Sequence, residues 1–168
     1  CLRADVRPKM PHNRALYHVN CPTCGDFQVG YPGGLDDLRV LKNERRYILS
    51  GVLRDTAMVG QGPLDLNPDN IGGLSSEARL PATTGERLER IGRYIELVEP
   101  RINCPARIVL EDDYPVAFAR DANEFYQMLI IMKERGYIDW PEGKQPPEIT
   151  ITAPGTLWLD QIRLARPR

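Results

Sequence analysis

Hydrophobic residues recur along the chain at two different spacings, one typical of strands and one typical of helices. From residue 15 to residue 30 hydrophobic and polar side chains alternate, and this period of two predicts two short strands joined by a tight turn at Cys21–Gly25. From residue 35 to residue 58 Leu, Ile and Val recur at helical spacing, which predicts one helix, or two if Gly51 interrupts it. The segment 61–81 is rich in Gly, Pro, Asn and Asp, which favours a linker with one short helix near residues 70–77.

Two capping signatures mark helices in the second half of the chain. Thr83 is followed by Glu86, and Asp121 by Glu124, so each candidate N-cap has an acidic residue three positions later. An apolar stripe at helical spacing follows each cap. The sequence therefore predicts one amphipathic helix after Thr83 and a second, more apolar one after Asp121.

Short strands and a final helix complete the second half. Strands are predicted over residues 106–111, 137–140 and 148–152, and a helix begins near residue 154. The order helix, helix, hairpin, helix is that of a winged helix, in which the hairpin is the wing. We therefore expect a winged-helix-like domain in this half of the chain.

Together these elements predict an α+β fold that is mainly α. We expect a zinc-ribbon-like β-hairpin module with following helices over residues 1–60, a linker over 61–81 and a winged-helix-like domain over 82–168. No run of apolar residues approaches the roughly 20 needed to cross a bilayer, and no signal sequence opens the chain. We expect a cytoplasmic protein without membrane contact, and, from its first residue and its Arg-Pro-Arg end, a fragment of a longer one.

The turn from Cys21 to Gly25 carries the strongest chemical signal in the sequence. Two thiolates with two residues between them can both bind one tetrahedral Zn²⁺ at about 2.3 Å. Gly25 permits the positive φ that such a turn requires. Cys1 precedes Cys21 at a spacing typical of a paired-knuckle zinc ribbon, and so is the candidate for a third ligand.

The fourth ligand has several candidates. We select His18, with His12 and Cys104 as the alternatives. A redox dithiol and incidental reduced cysteines are the other interpretations of the pair. A zinc ion here would be structural, since catalytic zinc keeps an open position beside a base and the sequence has no His-Glu-x-x-His or other catalytic motif. We therefore expect no catalytic activity from this chain.

The charge distribution bears on nucleic-acid binding. The net charge is −1: residues 1–60 hold nine Lys and Arg against six Asp and Glu, and residues 61–168 hold thirteen against seventeen. A wide nucleic-acid-binding face usually has a clear basic excess, which this chain lacks. In a winged helix the helix before the wing enters the major groove, and Asn and Gln match adenine edges there. The candidate nucleic-acid-binding residues are Arg45, Arg46, Asn123, Gln127, Lys133, Arg135 and Lys144.

Four segments carry a resemblance to a known kind of protein: 17–27 around the cysteine pair, 46–54 (RYILSGVLR), 124–138 ending in KERGYI, and 149–159 (ITITAPGTLWL). With them the chain resembles the zinc-ribbon plus winged-helix accessory region of bacterial defence-associated multidomain proteins. In such proteins the region often precedes an effector domain similar to nucleoside deoxyribosyltransferases or TIR-type NAD hydrolases. The sequence departs from the usual ribbon in having no cysteine just before Cys1.

The resemblance implies an accessory role in antiphage defence, in which this region senses or contacts DNA or RNA. The alternative is a scaffold for a protein partner or a homo-oligomer with a structural zinc site. In that alternative the contact surface is the helix over residues 125–132 or the wing.

Overall fold

In a computed structural model of the chain, helices predominate over strands, which confirms the predicted α+β, mainly α class. The structure describes residues 5–9, 16–30, 38, 41, 43–101, 103–143 and 148–165. Two compact units divide them. Unit 1 holds the described residues up to Leu80 together with Phe118–Arg120, and unit 2 holds residues 81–117 and the described residues from Asp121 onwards.

Unit 1 combines a four-stranded sheet with two helices. Its elements are β1 Asp5–Lys9, β2 Leu16–Cys21, β3 Gly25–Gly30, α1 Asn43–Met58, β4 Leu64–Leu66, α2 Pro68–Leu74 and a 3₁₀ turn at Glu77–Arg79. The sheet order is β1-β2-β3-β4, antiparallel among the first three strands and parallel between β3 and β4. The predicted strand, turn and strand are confirmed as β2 and β3, and β1 and β4 extend them on either side.

The core of unit 1 lies against one face of this sheet. Side chains alternate between faces along a strand, so Val19 and Cys21 of β2 share a face, as do Phe27 and Val29 of β3. All four are at most 5% exposed and belong to one buried cluster. The helices and β4 complete this cluster with Leu49, Leu53, Leu66 and Ile71.

Helix α1 runs without interruption through Gly51, so of the two alternatives the unbroken helix is the one found across this residue. The glycine serves packing instead. A Cβ atom at position 51 would lie 2.6 Å from the ring of Phe118, which is 1% exposed and belongs to the same unit. The close approach of an aromatic ring therefore accounts for a glycine in the middle of a helix, where it otherwise costs about 1 kcal/mol relative to alanine.

The predicted linker over 61–81 is largely folded. Leu66 of β4 is 0% exposed and Ile71 of α2 is 3% exposed, so both belong to the core of unit 1. The Asn67 side chain caps α2 by accepting hydrogen bonds from the amides of Asp69 and Asn70. The turn-forming residues of this segment thus begin a short helix, and the boundary between the units falls after Leu80.

Unit 2 follows the predicted order of helix, helix, hairpin and helix, with a short strand and a short helix between the first two. Its elements are α3 Thr84–Val98, β5 Ala106–Arg107, α4 Leu110–Asp113 with a 3₁₀ turn at Tyr114–Ala117, α5 Ala122–Glu134, β6 Ile138–Asp139, β7 Glu148–Ile151 and α6 Ala153–Ala165. The three strands form a sheet in the order β5-β7-β6, with both pairs antiparallel. Helix α5 immediately precedes the β6–β7 hairpin, which is the wing of the predicted layout.

Both predicted N-caps are present. The Thr83 hydroxyl accepts a hydrogen bond from the Glu86 amide at 3.1 Å, and the Asp121 carboxylate accepts one from the Glu124 amide at 2.8 Å. The reciprocal half of the capping box differs from expectation, because the Glu86 carboxylate accepts from the amide of Ala82 rather than from that of Thr83.

Helix α5 buries its apolar face in unit 2. Phe125 and Leu129 are 0% exposed, Met132 is 1% exposed and Met128 is 6% exposed. These four side chains belong to the core of unit 2 and are not available to a partner, so contact through the exposed side of the helix stays a prediction. Among the described residues, the structure contains no helix whose length and apolar character would let it cross a membrane.

Candidate functional site

The cysteine pair lies at the turn between β2 and β3. Cys21 is the last residue of β2, and the amide of Cys24 donates a hydrogen bond to the Cys21 sulfur at 3.4 Å. Gly25 follows with φ +83°, the left-handed conformation that the sequence predicted for it. The chain thus turns back on itself so that a backbone amide faces a sulfur, an arrangement suited to stabilising a thiolate ligand.

Helix α1 covers this turn. The Cys24 sulfur lies 3.4 Å from the Ser50 hydroxyl oxygen, and the Arg54 guanidinium donates a hydrogen bond to the carbonyl of Pro22 at 3.0 Å. Ser50 and Arg54 are four residues apart and therefore share a face of the helix. A Cβ atom on Gly25 would lie 2.7 Å from that of Ala57, one turn further along. The helix packs so closely on the turn that only glycine fits at position 25.

Burial and mutual contact separate the two thiols chemically. Each cysteine is 2% exposed. The hydrogen bond with the Cys24 thiol lowers the pKa of Cys21 to about 6, against the opposing effect of burial. The same hydrogen bond, together with burial, raises the pKa of Cys24. One sulfur of the pair is thus disposed to be a thiolate, the form that binds metal.

The structure does not bring His18 to this pair. His18 is three residues before Cys21 on β2 and therefore projects from the opposite face of the sheet. Among the described ranges, no group of three or more His, Cys, Asp or Glu side chains is placed to hold a metal ion. Cys104 lies in unit 2 and is half-buried.

Cys1 and His12 lie outside the described residues, but the strand register limits their reach. Asp5 pairs with Asn20, next to Cys21, so the chain preceding β1 starts from the cysteine end of the sheet. Cys1 is four positions before Asp5, and an extended chain of four residues spans about 13 Å. Lys9 and Leu16, which flank the segment containing His12, pair at the other end of β2.

The donor set fits two of the four ligands of a structural zinc ion. Two soft sulfur ligands in one turn, with an amide directed at one of them, match the chemistry that zinc prefers. Cys21 and Cys24 would hold the ion, and the other ligands would have to come from outside the described residues. An ion bound there would crosslink the β2–β3 turn to a second segment of the chain.

A second candidate surface is the exposed side of α5. Asn123 and Gln127 are exposed and lie one helical turn apart, opposite the buried face of the helix. The negative charge of Glu124 is balanced by Arg87 of α3, whose guanidinium lies 3.0 Å from the Glu124 carboxylate. The exposed side of α5 therefore presents two neutral amides near its start and the exposed carboxylate of Glu134 near its end.

Lys133 anchors the base of the wing. Its ammonium group donates a hydrogen bond to the carbonyl of Trp140 at 2.7 Å, lies 2.9 Å from the Asp139 carboxylate and sits 4.3 Å from the centroid of the Trp140 ring. The hydrogen bond from Lys133 lowers the pKa of Asp139. Lys133 is thus engaged within unit 2, whereas Arg135 at the end of α5 is exposed.

The other predicted nucleic-acid-binding cations differ in their exposure and hydrogen bonding. Arg45 is exposed on the first turns of α1. Arg46 is half-buried and donates a hydrogen bond to the carbonyl of Leu41 at 2.9 Å, so it helps to fix the chain entering α1. Lys144 lies outside the described residues. Of the described cations, Arg45 and Arg46 belong to unit 1, and Lys133 and Arg135 belong to unit 2.

Sequence reasoning missed the residues that support the two surfaces. Ser50 contacts Cys24 and Arg54 contacts Pro22, which are 26 and 32 positions away in the sequence. Arg87 contacts Glu124, which is 37 positions away. Nothing local in the sequence signals such partners. The orientation of His18, by contrast, could have been predicted from the sequence. Side chains alternate along a strand, so residues 18 and 21 lie on opposite faces of the sheet.

Comparisons with protein families, with curated proteins and with solved structures find no match for this chain.

Proposed function

We propose that the chain is a non-catalytic accessory module of a bacterial protein of the antiphage-defence type, which contacts nucleic acid through α5. In this proposal it acts in the cytoplasm, and a structural zinc ion holds the β2–β3 turn of unit 1. The observation that carries the proposal is the pair of exposed amides, Asn123 and Gln127, on the helix that precedes the wing.

Geometry and charge both support this role for α5. Amide side chains of Asn and Gln can make two hydrogen bonds to an adenine edge in the major groove. Asn123 and Gln127 lie one turn apart, about 6 Å along the helix, and this distance corresponds to roughly two base steps of 3.4 Å. Because Arg87 balances Glu124, the first turn of α5 repels phosphates less than it would with Glu124 unpaired.

The structural role of zinc is supported by the burial of its ligands. Both cysteines are 2% exposed and form part of an apolar cluster, whereas a catalytic ion needs an open position for water. The lack of a basic excess implies modest affinity for nucleic acid, because phosphate contacts supply most of the non-specific binding energy.

The test is a gel-shift assay with duplex DNA and with RNA at low salt, using the whole chain. Wild type is compared with the double variant Asn123→Ala/Gln127→Ala and with Gln161→Ala. Gln161 is the matched control, since it is an exposed amide on α6 of the same unit. Each lost base contact should cost about 1–3 kcal/mol, so the double variant should bind adenine-containing duplexes at least about tenfold more weakly.

Retained binding in the control together with weakened binding in the double variant supports α5 as the interface. If wild type binds neither DNA nor RNA at low salt, the proposal fails. If both variants bind as wild type does, nucleic acid is contacted elsewhere, and the role of α5 fails.

A second function is favoured by one specific observation, an exposed apolar stripe on α6. Leu157 and Leu164 are 64% and 86% exposed and are seven residues apart, so they lie on the same side of the helix. A second copy of the chain is the occupant that such a stripe fits best, since two antiparallel copies would place each Leu157 opposite a Leu164. Light scattering tests this directly: a dimer that Leu164→Glu converts to monomer supports it, and a monomeric wild type refutes it.

A further inference from the structure

The contact between Ser50 and Cys24 is unusual within unit 1 because it joins a polar helix side chain to a sulfur inside an apolar cluster. The Ser50 oxygen and the Cys24 sulfur are 3.4 Å apart, and the two residues are 9% and 2% exposed. Around them lie the apolar side chains of Leu49, Leu53 and Phe27. A buried hydroxyl needs a hydrogen-bond partner, and here the partner is the sulfur.

The direction of this hydrogen bond must depend on the state of the sulfur. When Cys24 is protonated, its single proton has two possible acceptors, the Ser50 oxygen at 3.4 Å and the Cys21 sulfur. A metal-bound cysteine has lost that proton to solvent and can only accept. The Ser50 hydroxyl, which can rotate, would then donate to the thiolate. The same two atoms can thus satisfy each other in both states, with donor and acceptor exchanged.

We infer that Ser50 is a positioning residue for the metal site, whose hydroxyl donates to the Cys24 thiolate when zinc is bound and so raises the affinity for the ion. The inference rests on the proposed zinc site and adds to it a residue outside the ligand set. Groups that hydrogen-bond to metal ligands orient them and tune their basicity, and their loss typically weakens binding about 10- to 100-fold.

The position of Ser50 on α1 gives this hydrogen bond a structural consequence. One turn later, Arg54 donates to the carbonyl of Pro22, inside the same turn. Helix α1 therefore holds the cysteine turn at two points, one on a ligand sulfur and one on the backbone between the ligands. Loading the site with metal would strengthen the first of these contacts, because a hydrogen bond to a charged acceptor is stronger than one between neutral groups.

The experiment measures zinc affinity by competition with a chelator and records the thiolate-to-metal charge-transfer band of the cobalt(II)-loaded chain. Wild type is compared with Ser50→Ala, Ser50→Thr and Thr56→Val. Thr56 is the matched control: it lies on the same helix, and its hydroxyl donates to the carbonyl of Val52 rather than to a sulfur. Loss of a donor to the thiolate leaves more electron density on sulfur and moves the charge-transfer band to lower energy.

We expect Ser50→Ala to bind zinc about tenfold more weakly and to shift the cobalt band, while Ser50→Thr and Thr56→Val remain close to wild type. A purely structural role for Ser50 would leave the band unmoved. The inference is overturned if Ser50→Ala matches wild type in affinity and spectrum, or if Ser50→Thr shows the alanine spectrum. A wild-type chain that binds no zinc contradicts the zinc site itself, which distinguishes that failure from the failure of Ser50.

Discussion

The cysteine turn of unit 1 and helix α5 of unit 2 place their chemically informative side chains in opposite ways. At the turn, Cys21 and Cys24 are buried beneath α1, and Ser50 of that helix is buried against Cys24. On α5, the polar residues Asn123 and Gln127 face solvent while the apolar ones are buried. Buried polar groups must be satisfied within the molecule, so those of unit 1 hold the fold together. Exposed amides contribute little to stability, so those of α5 are available to a partner.

The comparison predicts that loss of a buried thiol has the largest effect of any single change. Cys24→Ser should abolish stoichiometric zinc binding and unfold unit 1, since apparent binding energies of structural zinc are about 10–16 kcal/mol and exceed the stability of many small domains. Zinc content by mass spectrometry and helical content by circular dichroism measure both effects. Cys104→Ser is the control, because Cys104 is half-buried in the other unit. Zinc retained by Cys24→Ser would contradict the assignment.

The two faces of α5 should separate stability from binding. Phe125→Ala removes a side chain that is 0% exposed and should destabilise the chain by about 3–5 kcal/mol in urea unfolding. Asn123→Ala, two residues earlier on the exposed side, should stay within about 0.5 kcal/mol of wild type. A large loss of stability in Asn123→Ala would show that this amide is structural and would remove the contrast between the regions.

Gly25→Ala tests how tightly α1 closes over the cysteine turn. The residue has φ +83°, and the added Cβ would lie 2.7 Å from that of Ala57, so we expect a loss of roughly 1–3 kcal/mol in thermal unfolding. Gly72→Ala is the control, because α2 leaves open space around Gly72 and alanine favours a helix by up to about 1 kcal/mol. Equal effects at both positions would mean that the turn is not closely packed.

The smallest expected effect concerns the wing. Lys133→Met keeps the apolar stem but loses the hydrogen bond to Trp140, which should cost about 1 kcal/mol. Since Lys133 is engaged within unit 2, the salt dependence of DNA binding should remain unchanged. Arg135→Ala should instead lower the slope of log K against log salt by about 1 if Arg135 contacts a phosphate. A reduced slope in Lys133→Met would assign Lys133 to the interface after all.

Local signals in the sequence were reliable where the interaction itself is local. Thr83 and Asp121 cap their helices through amides three residues away, and Gly25 adopts positive φ within its own turn. Such contacts depend on neighbouring residues alone, so the printed sequence contains all that is needed to predict them.

Signals that depend on distant partners failed or remained open. The segment 61–81 was predicted to be a linker from its Gly, Pro, Asn and Asp content. It is folded because β4 pairs in parallel with β3, which joins Leu64 to Phe27 across 37 positions of the chain. Lys133 was predicted to contact nucleic acid. The sequence could not show its ion pair with Asp139 and its hydrogen bond to Trp140, because both depend on where the β6–β7 hairpin places these residues. The full set of zinc ligands stays a prediction, since Cys1 lies outside the described residues.

The sequence by itself determined the mainly α class, the starts of α3 and α5, the cysteine turn and the order helix, helix, hairpin, helix of unit 2, because periodicity, capping and turn chemistry act over a few residues. Only the tertiary structure decided that α1 seals the cysteine pair, that Ser50 contacts a sulfur, and that α5 turns its apolar side inward and its amides outward beside the wing. These features arise from packing between elements far apart in the chain, where burial and close approach, rather than local propensity, set the free energy.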